Sequence, residues 1–585
     1  MRVFLRRSGH PPRHLAAALL LALSAVATPG WSTEYDVLLR HGTIYDGSGA
    51  PPYVADIAIN EDRISTIGDL SGDSADLEID ARDLAVAPGF FNLLSHAHLS
   101  LLKDGRAMSD LKQGVTFEVL SEVSLSPITA ETAELLRRSY GEEEVTLDWR
   151  SLDDYLRRVE DSGVAVNFAT FVSAATVRTN VLGAGDVDPG AEQLAAMEAQ
   201  VDEAMRDGAL GLTSALIYAP GTFAETEELI ALARVAGRHG GIYTAHMRSE
   251  GNGLLEAVDE TLRIGREAQL PVKIHHLKAG GQPNWSKMET VIERIEAANA
   301  SGLSVTADMY TYVAGATGLD ASMPTWVQAG GYEAWAERLR DPEIRARVKA
   351  EMAINAQEWE NLGYFAGPEG MLLIGFRNEA LRERYAGMTL AAIAEERGQD
   401  PRDTAIDLVI EDGSRVGTVY FLMSEENLQR QIRQPWMMFG SDARAPAAEG
   451  DWLKDSVHPR TYGNVARLLG KYVRDEGVIS LEEAIRRLTL LPASTLSIPR
   501  RGRLAPGHFA DITIFDPDQV GDRATFEDSH RYATGVEYVL VNGVPVLSRG
   551  EPTGATPGRA VRGPGWRGTL SPQPAPRGPG PATAE

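Results

Sequence analysis

The stretch GIYTAHMRSEGNGLLEAVDETLRIGREAQLPVKIHHLK, residues 241–278, decides how the chain is read. It opens on a strand-like run that passes through His246, crosses an amphipathic segment at 252–269, and closes on a second strand-like run carrying His275, His276 and Lys278. Strand, helix, strand in that order predicts a βαβ unit. The order recurs along the middle of the chain. The strand-like runs are FFNLLSHAH (90–98), VTFEVLSE (115–122), AVNFATFVS (165–173), GLTSALIY (211–218), GIYTAHMR (241–248), PVKIHHLK (271–278), SVTADMYTY (304–312) and PWMMFGSDAR (435–444). Amphipathic stretches such as AEQLAAMEAQVDEAMRDG and ETEELIALARVAGRHG separate them. Eight repeats predict an α/β fold, a parallel (β/α)8 TIM-like barrel over residues 88–499. The excess length falls between the seventh and eighth runs, where a mostly helical insert is expected at about 321–435, as a lid or an oligomer contact.

Outside the barrel the texture changes. Residues 34–87 read as short alternating strands broken by Asp-Gly and Gly-Asp turns, and the same texture returns at 500–566 in RGRLAPGHFADITIFDP and YVLVNGVPVL. The two blocks are expected to pair into one small β-sandwich. Residues 567–585, rich in Pro, Gly and Ala, read as a disordered tail. Residues 1–27 carry four arginines and no acid, then the apolar block LAAALLLALSAVA ending in an A-x-A site. That is the order of a secretory signal peptide, so a periplasmic or secreted protein is expected, with no stable membrane span after cleavage. Removing that segment takes the formal charge from -25 to -29. So acidic a chain without a basic stripe is expected to avoid nucleic acid. With no cysteine among its 585 residues, any metal must be held by His, Asp and Glu.

Catalytic groups of such a barrel come from the C-terminal ends of its strands, and residues two apart on a strand share a face. His96 and His98 end the first run, Glu122 the second, Tyr218 the fourth, His246 and Arg248 the fifth, His276 and Lys278 the sixth, and Asp442 the eighth. Histidines and carboxylates from several strands thus converge on one rim, a nitrogen and oxygen donor set suited to Zn²⁺. A single strand-end histidine is more often a structural hydrogen-bonding residue, and His275, facing the other way, reads so. Glu118, in mid-strand, reads as the partner of a buried base, and Arg248 with Glu250 as an ordinary rim ion pair.

These residues resemble the amidohydrolase superfamily and, within it, a divergent branch of the N-acyl-D-amino-acid deacylases (D-aminoacylases). The resemblance spans roughly residues 35–566. It rests on VAPGFFN, GALGLTSALIYAPGTFAETEELIALARVAGRHGGIYTAHMRSEG, HHLKAGG, FGSDAR, HPRTYGNVARLLGKYV, LTLLPAST, RGRLAPGHFADITIFDP and ATFED. It implies zinc at the barrel mouth, His246 and His276 as metal ligands, and Asp442 as general base and then acid. It also implies that Tyr218, Lys278 and Arg460 hold the substrate's α-carboxylate, which suits the strength of charge-assisted bonds to carboxylates. The reaction expected is metal-dependent hydrolysis of the amide bond of N-acyl-D-amino acids, or related acylated amino acids, to a carboxylate and a free amino acid.

Three departures from the family pattern matter. Counted without gaps, the family's H-x-H falls on Leu94 and His96, with His98 one step further out. The opening histidines are then either a shifted ligand pair or a rim pair with no metal role. The family's metal-binding cysteine falls on Val123, which cannot bind zinc, and the adjacent Glu122 is the expected replacement. Strand four offers no lysine for a carbamate bridge, so one tightly bound zinc is expected, with a second, weaker site open. The alternatives are another amidohydrolase, dipeptidase-like or acting on cyclic amides, and a non-catalytic secreted binding protein on a decayed hydrolase fold.

Overall fold

The computed structural model describes residues 34–134 and 146–568; the signal-peptide segment, 1–27, and residues 569–585 of the expected tail lie outside them. Eight strands form the central barrel: Phe90–Ser95, Val115–Leu120, Asn167–Thr170 continuing as Val172–Ser173, Gly211–Ala215, Ile242–His246, Val272–Ile274, Val305–Met309 and Met437–Phe439. Every ladder between them is parallel. The third strand joins the two sheets, pairing with the second through its first half and with the fourth through its second. The ring closes just past the eighth strand, where Asp442 N donates to Leu94 O (2.8 Å) and His96 N donates to Ala443 O (2.9 Å). Gly440 makes that approach possible, since a Cβ there would lie 2.7 Å from Leu94 N. The bonds that shut the barrel therefore belong to residues beside or within the candidate site.

The unit at 241–278 shows how sequence becomes barrel. Helix Leu254–Ala268 buries Leu254, Ala257, Val258, Thr261, Leu262, Ile264, Gly265 and Ala268, the spacing of one helical face. Burying a leucine such as Leu262 contributes about 2 kcal/mol. Gly265 lets the helix lie against the sixth strand, because a Cβ there would sit 2.5 Å from Val272 Cγ1. The helix stops at Gln269, whose φ of 57° is left-handed, and the chain turns at once into the strand leading to His276.

The N- and C-terminal blocks share one nine-stranded sheet, joined where Ile512–Phe515 runs antiparallel to Ala85–Pro88. The sheet rolls back on itself: Ile64 N donates to His508 O (3.0 Å) and Gly507 N to Ile64 O (2.8 Å). Leu39, Ile57, Ile59, Val86, Ile512 and Ile514 fill the interior so enclosed. Among the described residues no helix is long and apolar enough to cross a membrane.

The excursion between the seventh and eighth strands is mostly helical, as expected for the insert at about 321–435, but its helices are built on a small antiparallel sheet that the expectation did not include. It begins at Ala314–Gly318, which pairs with Gly417–Phe421; that strand pairs in turn with Met371–Gly375, and the last with Met388–Thr389. The helices of the insert pack on one face of this antiparallel sheet around Leu319, Trp335, Leu373, Ile393, Leu408 and Tyr420. Runs as short as MLLIG and GTVYF carry too few residues for their periodicity to separate strand from helix. Helix Glu425–Ile432 belongs to the barrel, since Leu428 and Ile432 are buried in the core that the barrel helices share.

Candidate metal centre

Three side chains from three strand ends meet at one point. Glu122 Oε1 lies 2.6 Å from His276 Nε2 and 3.2 Å from His246 Nδ1, and the two nitrogens are 3.0 Å apart. All three residues are buried. A second group shares Glu122: His96 Nε2 is 3.5 Å from Glu122 Oε2 and 2.9 Å from Asp442 Oδ1. His246 ends its strand, whereas Glu122, His276 and Asp442 lie beyond theirs, with φ of 65°, 30° and 50°. Non-glycine residues held in sparsely populated backbone regions cost of order 1–3 kcal/mol each and concentrate at functional sites.

The donors fit zinc. Two imidazole nitrogens and one carboxylate oxygen converge with no sulfur, the three-ligand set of a catalytic zinc site. The local potential agrees. Burial and Lys278 oppose a proton on His276, yet the carboxylates of Glu250, Glu122 and Asp442 outweigh them and lift its pKa to about 10. A field that holds a proton there also holds a cation. Burial would raise the pKa of Glu122, but His276 and His246 keep it well below the usual carboxylate range. Asp442 is likewise held ionised against burial, by Arg460, His276 and His96.

Lys278 and Arg460 flank the cluster. Lys278 Nζ donates to Glu250 Oε1 (2.6 Å) and lies 2.8 Å from His276 Nδ1. Arg460 Nη1 sits 2.8 Å from Asp442 Oδ2, off the axis of a hydrogen bond, so Nη1 and Nε are buried without a hydrogen-bond partner. A carboxylate arriving there would meet Nη1 already ion-paired with Asp442, and Nε without an acceptor. Tyr218 lies with its ring centre 5.2 Å from that of His246, edge to face, and the guanidinium of Arg415, from the insert, stands 5.1 Å from the tyrosine ring.

Several expectations need correction. His96 and His98 do not share a face, because the strand ends at Ser95 and the chain turns. His96 enters the second group; His98 points away, hydrogen-bonds the backbone of Val123, and joins neither group. Burial beside His96 drops the His98 pKa to about 3. Leu94, at the family's first histidine position, is buried and apolar. Arg248 pairs with Glu260 (2.9 Å), not Glu250. Glu118 meets no base: Asn92 Nδ2 donates to it (3.0 Å) and to Asp110 (3.0 Å). Glu250 is the functional residue that sequence reasoning missed. Its Oε1 lies 2.9 Å from His276 Nδ1, where it can accept the ring N–H and leave Nε2 free as a ligand. The signal was present in its place at the end of HMRSE, four residues past His246.

Comparison with known proteins gives the same direction. Residues 77–547 match the amidohydrolase family. The chain is 34% identical to D-aminoacylase of Alcaligenes xylosoxydans xylosoxydans, covering 91% of this chain and 98% of that one. It is 32% identical to N-acyl-D-glutamate deacylase of the same organism, over 90% and 97% of the two chains. The crystal structure of N-acyl-D-glutamate deacylase from Bordetella bronchiseptica, complexed with zinc and a phosphonate inhibitor that mimics the tetrahedral intermediate, matches with a TM-score of 0.75 at 29% identity, covering 91% of this chain and 100% of that one. The chain thus belongs to the amidohydrolase family, in the branch that contains D-aminoacylase.

Proposed function

We propose that this protein is a zinc-dependent hydrolase that cleaves the amide bond of N-acyl-D-amino acids, releasing a carboxylate and the free amino acid. The observation that carries the reading is the meeting of Glu122, His246 and His276 within 2.6–3.2 Å of one another, flanked by the Asp442 carboxylate and by the unsatisfied donors of Arg460. The names of its relatives, D-aminoacylase and N-acyl-D-glutamate deacylase, support the substrate class.

Glu122, His246 and His276 would hold the ion; His96 and Asp442, with Glu122, offer a second and weaker place. Bound zinc supplies Lewis acidity, lowering the pKa of water toward ~7 and drawing charge from a carbonyl oxygen. Asp442, held ionised, takes the proton of the attacking water and delivers it to the departing amine nitrogen as the C–N bond breaks. Arg460, Lys278 and Tyr218 bind and orient the α-carboxylate. Fixing the carboxylate relative to the scissile amide selects one enantiomer.

The test is a zinc-loaded activity panel of N-acetyl-D- and N-acetyl-L-amino acids with neutral and acidic side chains, dipeptides and hydantoins. Turnover confined to acylated D-amino acids supports the reading; protein that holds zinc and turns over none of them overturns it. Residues 1–27, read as a signal peptide, support export from the cytoplasm, and the N-terminus of the mature protein tests that.

A further inference from the structure

Beneath the metal cluster, inside the barrel, lies a polar layer that the chemistry above does not use. Lys273, His275 and Asp308 have no exposed surface. Taking a lysine and an aspartate this far from water is costly, and apolar side chains of like volume would fill the space without that cost. The connections show what the layer does. Asp308 Oδ1 accepts from the backbone N of His276 (2.7 Å). Its Oδ2 accepts from Lys273 and lies 3.2 Å from His275 Nδ1. His275 Nε2 faces Thr244 Oγ1 (2.8 Å) and Ser121 Oγ (2.9 Å). Ser121 Oγ meets Thr213 Oγ1 (3.2 Å), which accepts from the backbone N of Glu122 (3.1 Å).

One proton assignment satisfies the whole chain. His275 donates from Nδ1 to Asp308, and the single lone pair of its Nε2 is shared between the hydroxyls of Thr244 and Ser121; Thr213 donates to Ser121 and accepts from the Glu122 amide. The two ends of the network are thus the amides of Glu122 and His276, both at positive φ. Lys273 ties the layer to the first strand through Leu93 O (3.1 Å), one residue before the carbonyl that accepts from Asp442 N.

We propose that Asp308 and His275, acting through Thr213, are positioning residues for the metal centre: they hold the backbone of His276 and Glu122 in the left-handed conformations that aim both side chains at one point. The inference rests on the zinc-hydrolase reading above. It places the control of metal affinity on residues that touch neither metal nor substrate.

The experiment measures the zinc Kd, by competition with a chromophoric chelator, in Thr213→Val, His275→Leu and His275→Gln, together with kcat and KM on a turned-over N-acyl amino acid. Thr213→Val keeps the side-chain shape while removing the acceptor of the Glu122 amide. Zinc affinity at least fivefold weaker in Thr213→Val and tenfold weaker in His275→Leu is expected. At saturating zinc, kcat falls while KM stays within threefold, and His275→Gln, which keeps a polar tip, recovers most of the loss. A zinc Kd in Thr213→Val within fivefold of the parent overturns the proposal, whatever happens to the melting temperature. A parent protein that holds no zinc would instead overturn the functional reading itself.

Discussion

The ammonium of Lys278 lies 2.6 Å from the carboxylate of Glu250, so a substrate carboxylate arriving at Lys278 meets an ion pair. The same Glu250 oxygen is 2.9 Å from His276 Nδ1. One buried carboxylate therefore faces both Lys278, the proposed substrate-binding cation, and His276, the proposed metal ligand. Arg460 is in the same position, 2.8 Å from Asp442. Under the proposed function, substrate binding is an exchange of partners among charges already desolvated, and removing any one of them is expected to disturb more than one role.

Glu250→Gln follows directly. The amide cannot neutralise Lys278 and no longer favours the N–H on His276 Nδ1. Loss of such an outer carboxylate typically costs about 10- to 100-fold in metal affinity or activity. A fall of that size in zinc affinity, measured by chelator competition, is expected along with lower kcat/KM. Unchanged values for both would remove Glu250 from the site.

Asp442→Asn keeps shape and loses the base. Asp442 belongs to the second ligand group, so zinc at the Glu122, His246 and His276 group should remain near its wild-type stoichiometry. Positioned acid–base groups contribute about 10²–10⁴-fold, and kcat should fall within that range or below it. Near-normal turnover at full zinc occupancy would rule out the assigned proton transfers.

Glu122→Gln tests the replacement for the missing cysteine. Glu122 is shared by both ligand groups and faces two imidazoles at 2.6 and 3.2 Å. Removing its charge should strip the tight zinc after dialysis against a weak chelator, as read by elemental analysis. Retention of one zinc per chain would make Glu122 a structural hydrogen-bond partner.

How much of this was legible in the chain follows from which residues obey a local rule. His246 does: it ends a regular strand, and alternation places it correctly. His276 and Asp442 were found from motif and strand-end position, although their backbones leave the strand geometry that the counting assumed. His98 was misplaced for that reason, since alternation fails once the strand stops at Ser95. Glu250 was hidden because its partners, Lys278 and His276, lie 28 and 26 residues away and are brought to it only by the crossover helix. Arg415 reaches Tyr218 from nearly two hundred residues downstream, next to the small sheet inside the mostly helical insert, whose short apolar runs do not reveal strands.

Arg460→Met separates substrate recognition from proton transfer. A charge-assisted bond to a carboxylate contributes about 1.5–3 kcal/mol, so KM for N-acyl amino acids should rise about 10- to 100-fold. Neutral amides of the same acyl group should lose far less at alkaline pH. Arg460 also helps hold Asp442 ionised against burial, together with His276 and His96. With that cation gone the pKa of Asp442 rises. The base form is then lost at a higher pH as acid is added, and the acid limb of kcat/KM moves upward for both substrate types. Below the new limb the neutral amide suffers too; above it only the carboxylate-bearing substrate does. A pH-independent loss shared equally by the two substrates would contradict both roles, since neither carboxylate binding nor support of the Asp442 anion could produce it.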